Sequence, residues 1–454
     1  MKRFLPIVFI VALIASGCAT ANTMSDTTIP KPQAVREPIG ERYELGNGMV
    51  LLVKENHALP VVMVNMIIKA GAVNETPDKA GLAHMTAGLL TKGASGMSAT
   101  EISEAIEFVG GSLSVGGGGD YATASLSVLK KDADTGFDLL GKVLMKPAFD
   151  QSEIDRLRKS VKAGIIRSEQ EPASVASKAF ARAVYGEKHP YGIPTEGTLD
   201  TIDGITKDDI SKFHTSHFVP NNTIMAVVGD ITADEAKALV EKHLAGLENY
   251  VAPVPSFPAT PEPKGREWIM VDRDITQANI MMGHLGVRRE DPDYYKLQVM
   301  NYILGGGGFV SRILDKIRDD MGLAYSAYSY FSPGKFSGSF TAGLETKNGS
   351  ARLAIDETLK LVEQMRAEPV TDKELQDAKD YITGSFPRKT DTNAKIAGLL
   401  TQVEYFGLGL DYFDTYEREV LKVTKEDVQD VARKYLHPDN LYIVVVGKLK
   451  EVGE

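Results

Sequence analysis

Hydrophobic positions along this chain switch between a period of two and a period near 3.6, and the switching recurs. "YELGNGMVLLVKEN" (43–56) predicts a pair of strands turned at Asn47-Gly48, and "PVVMVNMIIKAG" (60–71) predicts a buried strand. "DKAGLAHMTAGLLTKG" (78–93) and "SATEISEAIEFVGG" (98–111) then carry apolar residues at helical spacing and stop at glycine. Strands alternating with amphipathic helices predict an α+β fold, with a mainly antiparallel sheet covered by helices.

The pattern occurs twice. "TKDDISKFHTSHFVPNNTIMAVVG" (206–229) matches "TKEDVQDVARKYLHPDNLYIVVVG" (424–447) without a gap at an offset of 218. Pro220 and Asn222 answer Pro438 and Asn440, and each copy ends in a β-branched apolar run closed by glycine. Two tandem homologous domains are expected, at 38–250 and 266–454. Between them "VAPVPSFPATPEPKG" (251–265) carries five prolines and no period, which predicts a stiff, extended linker.

A chain of 454 residues is long enough for two cores. Apolar residues make up 43% and charged residues 25%, as in ordinary globular proteins. The formal net charge of -10 argues against a nucleic-acid surface, and no nucleic-acid partner is expected.

The N-terminus "MKRFLPIVFIVALIASGC" has a basic start, a short apolar run and small residues before Cys18, the only cysteine. Residues 1–17 read as a signal peptide. "ASGC" resembles a bacterial lipobox, which makes Cys18 the expected lipidation site, with 18–37 as a polar, flexible tether. The expected location is the periplasmic side of a bacterial membrane, as a lipoprotein; Ala19 is compatible with sorting to the outer membrane.

"KAGAVNETPDKAGLAHMTAGLLTKG" (69–93) resembles the metal-binding segment of the insulinase/pitrilysin family of zinc peptidases, which includes the mitochondrial processing peptidases. "EKHPYGIPTEGT" (187–198), "VPNNTIMAVVGD" (219–230) and "GGGGFVSRILDKIRDDMGLAYS" (305–326) extend the likeness over nearly all of the mature chain. In that family two homologous halves form part of a clam-like chamber. The family signature is His-x-x-Glu-His on a helix, with a distal glutamate as third ligand. Spacing of four puts both histidines on one helical face, and the glutamate between them activates the zinc-bound water. Here only His84 remains: Ala87 replaces the base, Gly88 the second ligand, and Gly164 falls at the distal glutamate position. Glu171 matches a further acidic position and Glu169 is near it, but His84 and one carboxylate fall short of three ligands. No metal is expected on this chain.

The remaining histidines have plainer readings: His214 and His217 as surface or helix-end residues, because their counterparts are Ala432 and Tyr435, and His189 as a turn residue. In "RDDMGLAY" the family's arginine and tyrosine, which contact the substrate carbonyl and the developing oxyanion, correspond to Arg318 and Tyr325. The plain alternative is a helix-terminal cation and a packed strand residue. The run Gly305, Gly306, Gly307 and Gly308 reads either as a substrate-guiding loop or as a simple connection; no strand-then-lysine pattern supports a phosphate loop.

The resemblance therefore implies the zinc-free subunit of a two-chain peptidase, with zinc in a homologous partner, peptide substrates added as a strand to a sheet edge, and Arg318 and Tyr325 acting in trans. A non-enzymatic peptide-holding or scaffold lipoprotein on the same fold is the alternative. An active peptidase with an unconventional site is a third reading, disfavoured by the loss of ligands and base together.

Overall fold

The computed structural model describes residues 39–247 and 250–452; the signal segment and Cys18 lie outside the described residues, as does the tether at 18–37. The first sheet is built from β1 (Glu41–Glu44), β2 (Val50–Glu55), β3 (Val61–Ile68), β6 (Ser112–Gly117), β7 (Ala122–Leu129) and β8 (Thr223–Gly229), in the order β1-β2-β8-β3-β7-β6. A two-strand ladder, β4 (Gly93–Ala94) with β5 (Met97–Ser98), stands apart from it. The second sheet contains β9 (Arg266–Asp272), β10 (Gln277–Leu285), β11 (Ala324–Phe331), β12 (Ser339–Lys347) and β13 (Leu441–Gly447), in the order β11-β12-β10-β13-β9. The turn at Asn47-Gly48 joins β1 to β2, with Gly48 at φ 82°.

The two sheets share one topology. Each has a single parallel pair, β2 with β8 and β13 with β9, and is otherwise antiparallel. The repeat recognised in the sequence places β8 on β13 residue for residue. Both of these central strands are buried along their whole length, which requires cover on both sheet faces and accounts for their unbroken apolar runs.

That double cover comes from an exchange. One face of each sheet packs on the helices of its own domain, forming the two large cores. The other face is covered by a helix from the opposite domain. Pro172–Tyr185 lies on β10 and β13, burying Ala176, Phe180 and Val184 against Met281, Val444 and Val446. Asn393–Phe406 lies on β3 and β8, burying Ala397, Leu400 and Tyr405 against Leu52, Ile67 and Ile224. Polar contacts fix the second seam: the Thr401 hydroxyl donates to Asn65 Oδ1 at 2.8 Å, Asn56 Nδ2 donates to Asn393 Oδ1 at 2.7 Å, and Arg42 pairs with Glu404 at 3.0 Å. Both domains thus lie within one compact unit, residues 37–454.

Residues 250–263 of the proline-rich segment form neither helix nor strand. Phe257 nevertheless docks against His189 and Phe336, with ring centroids 5.0 and 4.5 Å away. The exchange, not this segment, holds the domains together. A chain cleaved by a protease site engineered into 251–265 is expected to elute as a single 1:1 species on gel filtration, whereas separate fragments would show the seams to be weak. Phe180→Ala, which empties the centre of one seam, is expected to cost about 3–5 kcal/mol in denaturant unfolding.

Candidate functional site

In the first domain the segment resembling a zinc site folds as helix Leu82–Leu89, packed on helix Gln151–Gln170. Gly81, with φ 95°, opens the helix and supplies no capping side chain. Glu75 substitutes from a distance: its carboxylate accepts from the backbone N–H of Gly81 at 3.0 Å and from that of Ala83. Burial outweighs these hydrogen bonds and holds the Glu75 carboxyl up at about 8.

His84 is partly buried, hydrogen-bonded to the Gly117 backbone at the end of β6, and its pKa is lowered by desolvation. Ala87 is fully buried, and a Cβ on Gly88 would touch Leu157 at 3.1 Å, so the two substituted positions now serve close apolar packing. Gly164 is exposed, with open space around its Cα. Glu169 and Glu171 are also exposed, the latter between the two helices that end and begin at Gln170 and Pro172. Among the described residues no three His, Cys, Asp or Glu side chains gather at one point. The donor set does not fit a zinc ion: alanine and two glycines offer no ligand atom, and the remaining imidazole is already engaged by backbone.

His214 and His217 do sit in the last turn of helix Lys207–His217, but they are buried rather than on the surface. His214 Nε2 is 2.8 Å from the Leu144 carbonyl and its ring packs on Phe149 and Phe218, while His217 stacks on Phe213. Burial lowers both pKa values, so both are packed as neutral rings. Comparison with Ala432 and Tyr435 concealed this, because a neutral imidazole with a carbonyl partner can occupy the place of either. His189 is the expected turn residue; its Nδ1 accepts from the Tyr191 N–H at 3.1 Å.

In the second domain three irregularities converge. Helix Tyr294–Asn301 widens into a π-turn over Tyr302–Gly306, where the Gly307 N–H reaches the Tyr302 carbonyl at 2.8 Å. Helix Arg312–Leu314 does the same over Asp315–Asp320 and ends at Gly322, φ 62°. In β11 the three steps from Ala324 to Ala327 face only two on β12, from Thr346 to Leu344, which is a β-bulge at Tyr325 and Ser326. A π-turn and a bulge each insert one residue and redirect the side chains beside it. Together they bring Arg318 between two aromatic rings, 4.7 Å from the centroid of Phe309 and 5.1 Å from that of Tyr325. Tyr325 is 85% exposed and Phe309 68%, so this is not the packed strand residue of the plain alternative. Arg312 clamps the segment from behind, bonding Glu374 through two nitrogens at 2.6 and 3.0 Å and holding that carboxyl down at about 2.

The glycine run is mostly a packing device. A Cβ on Gly305 would collide with Ser329, one on Gly306 would lie 2.7 Å from Asn301, and one on Gly307 would lie 2.7 Å from the Tyr302 carbonyl. Only Gly308, φ 60°, has open space. Arg318 and Tyr325 were singled out by the family resemblance, and the structure sets them side by side. Sequence reasoning missed Glu75, whose capping partner lies six residues on, and it could not see the bulge, which leaves no mark on hydrophobic period.

This duplicated α+β chain carries a helix without a ligand set in one half and an arginine–tyrosine pair in the other, on a peptidase-like fold. Residues 50–199 match the family model described as Insulinase (Peptidase family M16), and residues 204–382 match the one described as Peptidase M16 inactive domain. The chain is a member of the insulinase family, M16. It is 25% identical over 369 residues to "Uncharacterized zinc protease YmxG" of Bacillus subtilis, covering 79% of this chain and 86% of that one. It is 24% identical over 402 residues to "Non-peptidase homolog YmxG" of Helicobacter pylori, covering 88% and 92%. A crystal structure described as a peptidase M16 inactive domain from Pseudomonas fluorescens superposes with a TM-score of 0.85 at 28% identity, over 90% of this chain and 98% of that one. A Helicobacter pylori protease structure shares the fold, with a TM-score of 0.84 at 23% identity, over 90% and 100%.

The buried cap yields a pH dependence. The folded Glu75 carboxyl, near 8, keeps a proton that the unfolded one loses near its ordinary 4.5. Its contribution to stability is therefore complete below 4.5 and lost as pH rises towards 8. The melting temperature of the wild type is expected to fall between pH 5 and pH 8, and Glu75→Gln, which cannot ionise, is expected to flatten that slope. An equally steep slope in the variant would assign it elsewhere.

Proposed function

We propose that this M16 homologue is the zinc-free subunit of a two-chain metallopeptidase that degrades or processes peptides on the periplasmic side of a bacterial membrane. A homologous partner supplies the zinc and the complete His-x-x-Glu-His helix. This chain supplies Arg318 and Tyr325, a charged and a neutral donor placed to stabilise the negative charge that develops on a substrate carbonyl oxygen. The observation that carries the reading is the asymmetry between the halves. Ala87 and Gly88 of the first serve apolar packing, yet in the second a π-turn, a bulge and a half-buried ion pair set out a half-exposed arginine beside an exposed tyrosine. A peptide-holding or scaffold role on the same fold would leave the exposure of Tyr325 without a use in chemistry.

Reconstitution with the partner tests this. Zinc is expected at one per complex, contributed by the partner. Tyr325→Phe keeps the ring beside Arg318 and deletes one hydroxyl; removing one such donor from a preorganised site typically costs about 10²- to 10³-fold in rate. The Tyr325→Phe complex is expected to assemble normally, bind peptide with near-normal affinity and lose at least about tenfold in turnover, or ~1.4 kcal/mol. Wild-type turnover would make the pair structural and favour the peptide-holding reading.

Attachment through Cys18 is proposed on the lipobox-like "ASGC" alone. Cys18→Ser is expected to move the protein from the membrane to the soluble fraction, since one anchor is then lost with no second signal in the polar tether. Unchanged membrane association would refute the lipid anchor.

A further inference from the structure

The outer strand of a sheet presents unpaired backbone N–H and C=O groups, and folded proteins blunt such edges with short length, charge, proline, glycine or a bulge. Three of the four edges of the two large sheets are blunted in this way. β1 is four residues long, and Glu41, Arg42 and Glu44 are charged. β6 ends in Gly116 and Gly117, and β11 carries the bulge at Tyr325 and Ser326. β9 is different. It runs for seven residues in unbroken register with β13, and it holds the apolar run Trp268, Ile269, Met270 and Val271 with no proline, glycine or bulge.

The direction of its free groups follows from the two ends of the ladder. The Leu441 N–H donates to the Gly265 carbonyl at 3.1 Å, and the Arg273 N–H donates to the Gly447 carbonyl at 2.9 Å. The odd-numbered residues of β9 therefore bond β13, while the N–H and C=O groups of Arg266, Trp268, Met270 and Asp272 point away from the sheet. Among the described residues no strand lies beyond them. The internal repeat shows this to be a gap. β2 forms the same parallel pair with β8 that β9 forms with β13, and the outer edge of β2 is covered by β1. The second domain has no counterpart of β1, because the segment before β9 is the one rich in proline, whose residues lack the N–H that a ladder needs.

We propose that β9 pairs with β9 of a second copy of this chain, joining two five-stranded sheets across a two-fold axis into one continuous sheet. The strand is complementary to itself. Antiparallel pairing centred on Ile269 sets Arg266 opposite Asp272 at both ends, Trp268 opposite Met270 twice, and Ile269 opposite its own copy. In this register every outward-facing residue meets another, so the free backbone groups of both edges are satisfied together. The charged ends have capacity to spare. Arg266 donates through Nε to the Pro438 carbonyl at 2.8 Å and through Nη2 to Asp439 at 3.2 Å, which leaves Nη1 for the facing carboxylate. Asp272 accepts from the Leu449 N–H through Oδ1 at 3.0 Å and keeps Oδ2. The Trp268 ring is held by Arg352, 3.9 Å from its centroid, and Met270 is 37% exposed, so a facing Trp268 has an apolar neighbour to cover. β11 lies at the opposite edge of the sheet, so this dimer leaves both Arg318–Tyr325 pairs open and does not depend on the function proposed above.

Sedimentation velocity of the full chain, in one detergent throughout, tests the pairing. The wild type is expected to dimerise below about 100 μM, with the amides of Trp268 and Met270 gaining hydrogen-exchange protection in the dimer. Met270→Pro removes an outward N–H and no bond to β13, so it is expected to keep the melting temperature and to raise the dimer Kd at least about tenfold. Met270→Lys is expected to do the same without a change of backbone. Asp272→Arg alone and Arg266→Asp alone each set like charges opposite one another at both ends, and each is expected to weaken the dimer about tenfold. Mixed in equal amounts, the two charge variants again face opposite charges at both ends and are expected to associate as tightly as the wild type. A wild type still monomeric at that concentration, or a dimer indifferent to both Met270 variants, would overturn the proposal. A charge-variant mixture no tighter than its parts would overturn the register centred on Ile269. Protection of the β9 amides only on addition of a zinc-bearing homologue would give the edge to that subunit and overturn the pairing of identical copies.

Discussion

Everything in this molecule depends on the burial of both faces of two apolar sheets. A strand such as β8 or β13, apolar at every position, is stable only if neither face meets water. Each domain has helices for one face only. The duplicated chain solves the deficit for both domains at once by lending one helix in each direction, so that Phe180 is buried on the second sheet and Leu400 on the first. Neither domain is complete without the other. Duplication here is not two folds in series but one packing problem with a shared solution.

The same exchange creates the functional surface. Helix Pro172–Tyr185 packs on β10 and β13, and the edge strand β11 keeps an exposed face that carries Tyr325, Ser326, Tyr328 and Tyr330. The Arg318–Tyr325 pair lies along this margin. The relic of the metal helix follows a different logic. Its helix is capped by Glu75 and packed on Leu157, with Ala87 and Gly88 at positions that offer no ligand atom. Packing constrains a helix whether or not it holds an ion.

Much of this was legible in the sequence, for identifiable reasons. The duplication shows because β8 and β13 face the same two-sided burial, which fixes the same apolar run and the same closing glycine. The turn at Asn47-Gly48 and the helix stops show because positive φ favours glycine. The lack of ligand atoms at Ala87, Gly88 and Gly164 can be read directly, because ligand chemistry admits few residue types. What stayed hidden depends on contacts distant in sequence. The exchange of helices cannot be inferred from amphipathicity, since a helix packed on a foreign sheet has the same apolar stripe as one packed at home. His214 and His217 look like surface residues until the Leu144 carbonyl and the Phe213 ring are in place beside them.

The bulge in β11 also bears on how this family can change. Strand side chains alternate from face to face, and the one extra residue lets Tyr325 and Ser326 both stay exposed between the buried Ala324 and Ala327. Losing the codon of Tyr325 would leave Ala324, Ser326 and Ala327 in regular alternation and remove the tyrosine, with every buried residue of the strand still on its own face. Gain or loss of the feature is thus one small insertion or deletion away, at a sheet edge where such changes disturb little else. A lineage could retire or recover its solvent-facing phenol without passing through an unfolded intermediate form.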